Sequence, residues 1–185
     1  MATRTKLTYE DYEAFPDDGN RYEIIDGEVY VTAAPSAPHQ RAVTRLARYL
    51  DAHAEERRLG EVYASPFAIV LGPSDIFQPD VVYVSRARSV MIDSRGVMRG
   101  APDLCIEVAS ESKRKHDRTV KFERYAHYRI PECWIVDTDV RSVAVFVLEQ
   151  DSYTLLALAQ GEDQIASRIL PDLDLRASTL FTPRW

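Results

Sequence analysis

The sequence predicts a mixed α/β (α+β) domain, a central β-sheet flanked by helices, and three observations lead there. Asp26-Gly27 sits between two β-prone runs, Tyr22-Glu23-Ile24-Ile25 and Glu28-Val29-Tyr30-Val31, the pattern of a two-residue hairpin. From residue 39 to about 59, apolar residues recur at the helical period. Later, apolar runs of strand length at residues 78–84, 103–110 and 132–137 are interrupted by a helical stretch at 117–129, the alternation expected of a sheet with a crossover helix.

Taken in order, Thr8 caps a short helix with acidic first-turn residues, and Pro16 with Asp17-Asp18-Gly19-Asn20 stops it. The hairpin follows. Pro35-Ser36-Ala37-Pro38 breaks the chain before the long helix, which ends at Gly60. Residues 61–71 are strand-like with an interruption at Ser65-Pro66, which suits a bend or an edge. Gly72-Pro73-Ser74-Asp75 turns the chain into the strand that carries Asp80. Residues 85–101 have weak periodicity and read equally as loop or marginal helix. Residues 142–148 and 152–159 form a C-terminal antiparallel hairpin, and 170–185 is a proline-punctuated cap.

With 185 residues, the chain is expected to be one domain spanning 1–185. Its 45% hydrophobic and 28% charged residues exclude a disordered or fibrous class. No apolar run reaches the ~18 residues of a membrane span and no signal peptide opens the chain, so a soluble cytoplasmic protein without a membrane partner is expected. Cys105 and Cys133 lie in apolar runs and are expected as free buried thiols. The net charge of -6 counts against broad, non-specific adhesion to nucleic acid. Local charge runs the other way in two places: Arg41, Arg45 and Arg48 share one helix face, and Lys113-Arg114-Lys115-His116-Asp117-Arg118 is a basic cluster. Each reads either as a phosphate-holding surface or as a solvated face.

The organising stretch is Asp103-Leu104-Cys105-Ile106-Glu107-Val108-Ala109-Ser110. Alternation puts Asp103, Cys105, Glu107 and Ala109 on one face and Leu104, Ile106 and Val108 on the other. A carboxylate in such a run must be protonated, paired or bound to a cation. Its nearest candidate partner is Asp80 in Gln78-Pro79-Asp80. Two carboxylates about 4 Å apart repel by roughly 4 kcal/mol at an effective dielectric near 20, which a divalent cation between them would reverse. The pair therefore reads as half of a hard-metal site, or as two separate salt bridges. No Gly-rich phosphate loop, nucleophile elbow or zinc spacing competes with it, and oxygen ligands suit Mg²⁺ or Mn²⁺. A strand lysine two residues after Glu107 is missing, because that position is Ala109. Lys121 on the following helix, in one arc with Tyr125 and Tyr128, is the chosen cation; its alternative is a helix-surface pair with Asp117.

Tyr22-Glu23-Ile24-Ile25-Asp26-Gly27-Glu28, Pro38-His39-Gln40, Gln78-Pro79-Asp80, Glu107-Val108 leading to Asp117-Arg118 and Lys121, and Pro131-Glu132-Cys133-Trp134-Ile135-Val136-Asp137 follow one another in order. This series, from about Leu7 to Phe181, resembles the Uma-two family of bacterial restriction-endonuclease-like proteins, within the PD-(D/E)xK nuclease superfamily. The resemblance implies a restriction-endonuclease-like core and a Mg²⁺-dependent endonuclease, with Asp80 and Glu107 as metal ligands and Lys121 replacing the strand lysine from a helical position. It adds Glu23 and His39 as catalytic-site residues, acting as outer metal ligands or in a water relay. Where the family commonly carries Ser-Pro-Ser, this chain has Ser110-Glu111-Ser112, which removes a rigid turn and adds an acid. DNA is the expected partner, and a homodimer would suit an enzyme that cuts both strands. The rival expectation is an inactive nuclease-fold module that binds nucleic acid or a protein partner.

Overall fold

The computed structural model describes residues 6–109 and 115–181, with the side chains of 115–118 outside that description. Helix α1 (Tyr9–Glu13) opens where Thr8 N–H donates to Asp11 Oδ2 at 2.8 Å. Strands β1 (Arg21–Ile25) and β2 (Glu28–Thr32) pair as the expected hairpin, with φ of 50° at Asp26 and 81° at Gly27. Two successive positive φ values are what a twist-matched two-residue turn requires.

Helix α2 (Ala37–Arg57) begins earlier than the sequence suggests. Ser36 is its N-cap, and Pro38 lies in the first turn, where a missing N–H costs nothing. The helix also ends before Gly60: Arg58 takes the left-handed cap conformation and donates to Ala54 O, and Gly60 starts the next strand.

Next come β3 (Gly60–Ala64), β4 (Ile69–Gly72), β5 (Asp75–Phe77) and β6 (Val81–Ser85). The one strand expected to carry Asp80 is thus two, β5 and β6, in different sheets, and Asp80 lies in the link between them. Pro79 explains the break, since it cannot donate to a ladder. The ambiguous 85–101 region holds one short 3₁₀ turn, Ser89–Met91, and β7 (Met98–Arg99). Then follow β8 (Leu104–Ala109), α3 (Lys115–His127), β9 (Glu132–Asp137), β10 (Ser142–Glu149), β11 (Ser152–Gln160) and α4 (Ala177–Phe181).

The strands form two mixed sheets rather than one, a five-stranded sheet β2-β1-β5-β4-β7 and a six-stranded sheet β11-β10-β9-β8-β6-β3. Within the larger sheet, β8 is antiparallel to β6 and parallel to β9, and α3 connects the parallel pair. One face of this sheet, with Leu104, Ile106 and Val108, shares a core with Ala42, Leu46 and Leu50 of α2 and Leu180 of α4. The other face contributes Val82, Cys105 and Cys133 to a second core with Ile25, Ile69 and Phe77 of the small sheet and Tyr125 of α3. The expected alternation along β8 is therefore observed, with a core on each side. Both thiols are free and buried, and burial pushes their proton affinity well up. Among the described residues, no helix is long and apolar enough to cross a membrane.

Two buried carboxylates hold these layers. Asp75 receives Tyr128 OH at 2.7 Å, Arg124 Nε at 3.1 Å and Asp26 N–H at 3.0 Å, fixing α3 to the small sheet. Glu132, fully buried, accepts from Trp134 Nε1 at 2.7 Å, Ser167 Oγ at 2.6 Å and Arg168 N–H at 2.7 Å. Glu132→Ala would strand three donors, each costing about 1–3 kcal/mol when left unsatisfied in the interior. A loss of about 3 kcal/mol in urea unfolding is expected after partial relaxation; a change under about 1 kcal/mol would mean the C-terminal segment is held otherwise.

Candidate active site

The antiparallel register Val81↔Ile106 between β6 and β8, continued by one residue, sets Asp80 beside Glu107 at the point where the chain passes from one sheet to the other. Val108 N–H donates to Asp80 Oδ2 at 2.7 Å, which ties the carboxylate across that register. Glu107 is on the β8 face that meets α3, where Tyr125 and Lys121 reach it. Lys121 Nζ lies 3.2 Å and 3.3 Å from the two oxygens of Glu107 and 2.8 Å from Glu23 Oε1. The chosen lysine thus spans a glutamate from each sheet instead of lying along its own helix.

Glu23 also accepts Gln78 N–H at 2.8 Å, and Tyr125 OH donates to Glu107 Oε1 at 2.7 Å. His39, delivered by the first turn of α2, places Nε2 3.2 Å from Asp80 Oδ2. All five residues expected in the site are buried and adjacent: Glu23, His39, Asp80, Glu107 and Lys121.

The structure adds Arg21, whose Nη1 donates to Asp80 Oδ1 at 2.6 Å. It stands two residues before Glu23 on β1 and so shares its face, a signal already present in the alternation. Gln78 is the other addition, with Nε2 donating to Tyr12 OH at 2.6 Å and to Tyr22 O at 3.3 Å.

Charge in this enclosure is finely divided. Burial opposes ionisation of Asp80, yet the His39 contact, Arg21 and the Val108 N–H hold its proton affinity well below the usual carboxylate range. Burial raises Glu107, Lys121 works against that, and the charges of Asp80 and Glu23 add to the rise. Burial would lower Lys121, but Glu107 and Glu23 outweigh it and its affinity for a proton is raised.

The residues open onto a cavity of about 840 Å³ bounded by α1, the β1–β2 hairpin, the start of α2, Gln78, Asp80, residues 107–109 and Lys121. Among the described residues, Arg21 Nε, His39 Nδ1 and Gln78 Oε1 are buried polar atoms without a hydrogen-bond partner, and all three side chains line this cavity. Buried polar groups are rarely left so, and three at one cavity suit a polar ligand.

No group of three or more His, Cys, Asp and Glu poised to hold a metal occurs among the described residues. The donor chemistry is that of two carboxylates, Asp80 and Glu107, the second raised in part by the charge of the first. Mg²⁺ commonly takes one or two protein carboxylates and completes its shell with water and phosphate oxygens, so the pair fits such an ion.

The arginine stripe of α2 stands apart from this cavity. Arg41, Arg45 and Arg48 do not line the cavity. Arg45 Nη1 donates to Thr179 O at 3.0 Å, joining α2 to α4, and Arg48 lies over the Tyr49 ring at 5.3 Å. Lys113 and Arg114 lie outside the described residues, as do the side chains of Lys115 and Arg118.

A crystal structure of a "putative nuclease" from Anabaena variabilis has the same fold, with a TM-score of 0.78 over 95% of this chain and 97% of that one at 17% identity. An uncharacterized protein of Synechocystis sp. is 26% identical over 166 residues, 88% of this chain and 93% of that protein. Residues 9–178 match the model of the Uma2 (Uma-two) family, whose description is "Putative restriction endonuclease", and the chain belongs to that family.

Proposed function

We propose that the protein is a Mg²⁺- or Mn²⁺-dependent endonuclease that hydrolyses phosphodiester bonds in DNA. The observation that carries this reading is the meeting of Asp80, Glu107 and Lys121, from a sheet junction, a central strand and a helix, at the wall of one polar cavity. Asp80 and Glu107 would hold the ion, which supplies Lewis acidity toward a phosphoryl oxygen and a more acidic bound water.

The chain's own groups do the rest. Tyr125 OH and Lys121 fix the orientation of Glu107, and Glu23 keeps the ammonium in place. From there Lys121 offers positive charge to an oxygen that becomes more negative as the phosphodiester opens. His39 Nε2 braces Asp80, while its Nδ1, without a partner among the described residues, is left to hydrogen-bond a ligand in the cavity. Exposed Arg41 and Arg48, with the basic segment at 113–118, would hold backbone phosphates and set register without reading bases. On this reading the protein would act in the cytoplasm, and a homodimer would present two sites to the two strands.

The test is incubation of purified protein with plasmid and single-stranded oligonucleotides, with and without Mn²⁺, beside Glu107→Ala. Metal-dependent cutting by the wild type and none by the variant is expected. Equal activity of the two proteins would discard the assignment.

One observation favours a second reading, a nuclease scaffold that only binds. Both carboxylates are already matched by cations of the chain, Arg21 on Asp80 and Lys121 on Glu107. Calorimetry with Mn²⁺ separates the two: an absence of binding that Asp80→Ala can remove selects the inactive module.

A further inference from the structure

One wall of the cavity is made of aromatic rings that the fold does not use for its interior. Tyr12, Phe15 and Tyr22 line it. None of the three belongs to either hydrophobic core among the described residues, and α1 buries no residue at all. The rings instead support one another: Phe15 and Tyr22 are 4.9 Å apart and inclined by 32°, and Tyr12 meets Phe15 edge-on at 6.1 Å. Large apolar faces kept half-exposed beside a polar site need an occupant that is itself flat and apolar on its faces.

Polar groups at the same wall narrow the choice. Gln78 commits its Nε2 to Tyr12 OH and Tyr22 O, which fixes the amide and leaves Oε1 a buried acceptor without a partner among the described residues. Arg21, the residue before Tyr22, also lines the cavity, and its Nε–H has no partner among the described residues. Arg21 and Lys121 supply the cationic lining. A ring-faced group with an N–H at its edge and a phosphate attached matches all of these, and that is a nucleotide. The volume, about 840 Å³, is of the order that admits a small ligand and not a duplex.

Resting on the phosphodiesterase reading, we infer that this wall is a subsite for an unpaired nucleobase of single-stranded DNA, which stacks on Phe15 and Tyr22 and donates an N–H to Gln78 Oε1. The base must have left any duplex, because its face is otherwise covered by its neighbours. The acidic net charge of -6 agrees with a grip that draws on stacking as well as on phosphate contacts.

The experiment is fluorescence anisotropy with EDTA present, so that no strand is cut. Its probes are an oligothymidylate, an abasic strand of equal length and charge, and a duplex. The wild type is expected to bind the oligothymidylate at least about tenfold more tightly than either other probe. Phe15→Leu keeps apolar bulk but loses the stacking face, and should weaken that binding about fivefold to a hundredfold, whereas Phe15→Trp should keep it. If Phe15→Leu does not fold, Tyr22→Leu is read in its place. Equal affinity for the base-bearing and abasic strands, or unchanged binding by the leucine variant, overturns the subsite whether or not plasmid is cut. Stacking-dependent binding without any metal-dependent cleavage leaves the subsite standing and sinks the endonuclease instead.

Discussion

Lys121→Met is expected to lower stability by about 3–5 kcal/mol at neutral pH, the cost of leaving buried charge uncompensated. The lysine is 6% exposed and sits among Glu23, Glu107 and, more distantly, Arg21. Removing its ammonium leaves two buried glutamates with, among the described residues, Gln78 N–H and Tyr125 OH as hydrogen-bond donors.

The loss has a pH signature whose sign follows from the protonation equilibria. Burial and the Asp80 charge already raise Glu107, and without Lys121 it rises further. A carboxyl with a raised folded pKa favours the folded state most when protonated, and this contribution is lost as pH climbs from the unfolded value near 4.3 through the folded one. The variant's deficit should therefore shrink toward about pH 4.5 and widen above it. Lys121 in the wild type is raised, so its contribution is full below about pH 10.4 and disappears only on the alkaline side. Urea midpoints across this range are the measurement. A variant within about 1 kcal/mol of wild type at pH 8 would show that the ammonium does not hold the two sheets' glutamates.

Asp80→Asn should reduce metal-dependent cleavage by about 10²- to 10³-fold, in line with removing one preorganised charge from a catalytic site. Asparagine keeps the side-chain shape and an acceptor for Val108 N–H, but it cannot neutralise Arg21. The accompanying stability loss is about 1–3 kcal/mol. It too depends on pH. Burial acts to raise Asp80, but His39 and Arg21 keep its folded pKa below the usual range. That contribution is present above an unfolded value of about 3.9 and is lost as pH falls through the folded one, so wild type and variant should converge in acid. Undiminished cleavage by Asp80→Asn would remove this residue from the chemistry.

Local chemistry made much of this arrangement legible in the sequence. Asp26-Gly27 specified a turn that demands positive φ twice, and period-two alternation set Glu107 on one face of β8. Lys121, selected because the following helix must return to the strand, meets Glu107. The second sheet is not legible, because Gly72-Pro73-Ser74-Asp75 reads as a turn into one strand through Asp80, and Asp75–Phe77 is too short to stand out as a strand of its own. Pro79 was the clue within it, but a proline says only that a ladder stops, and not which strand the chain joins next. Arg21 is a different case: alternation sets it on the face of Glu23, but its partner Asp80 lies 59 residues away, and no local rule names that partner. Helix α2 began before its expected start because Pro38 can open a first turn as readily as it can interrupt a chain.

The bridge made by Lys121 joins Glu23 of the small sheet to Glu107 of the large one, and Gln78-Pro79-Asp80 is the covalent strap across the same gap. Any displacement of one layer against its neighbour must therefore alter the distances among the reacting groups before it alters much else. Substitutions in the shared interior, at Ile69 for instance, should on the proposed reading act on cleavage as tuning screws act on a string, changing rate through spacing.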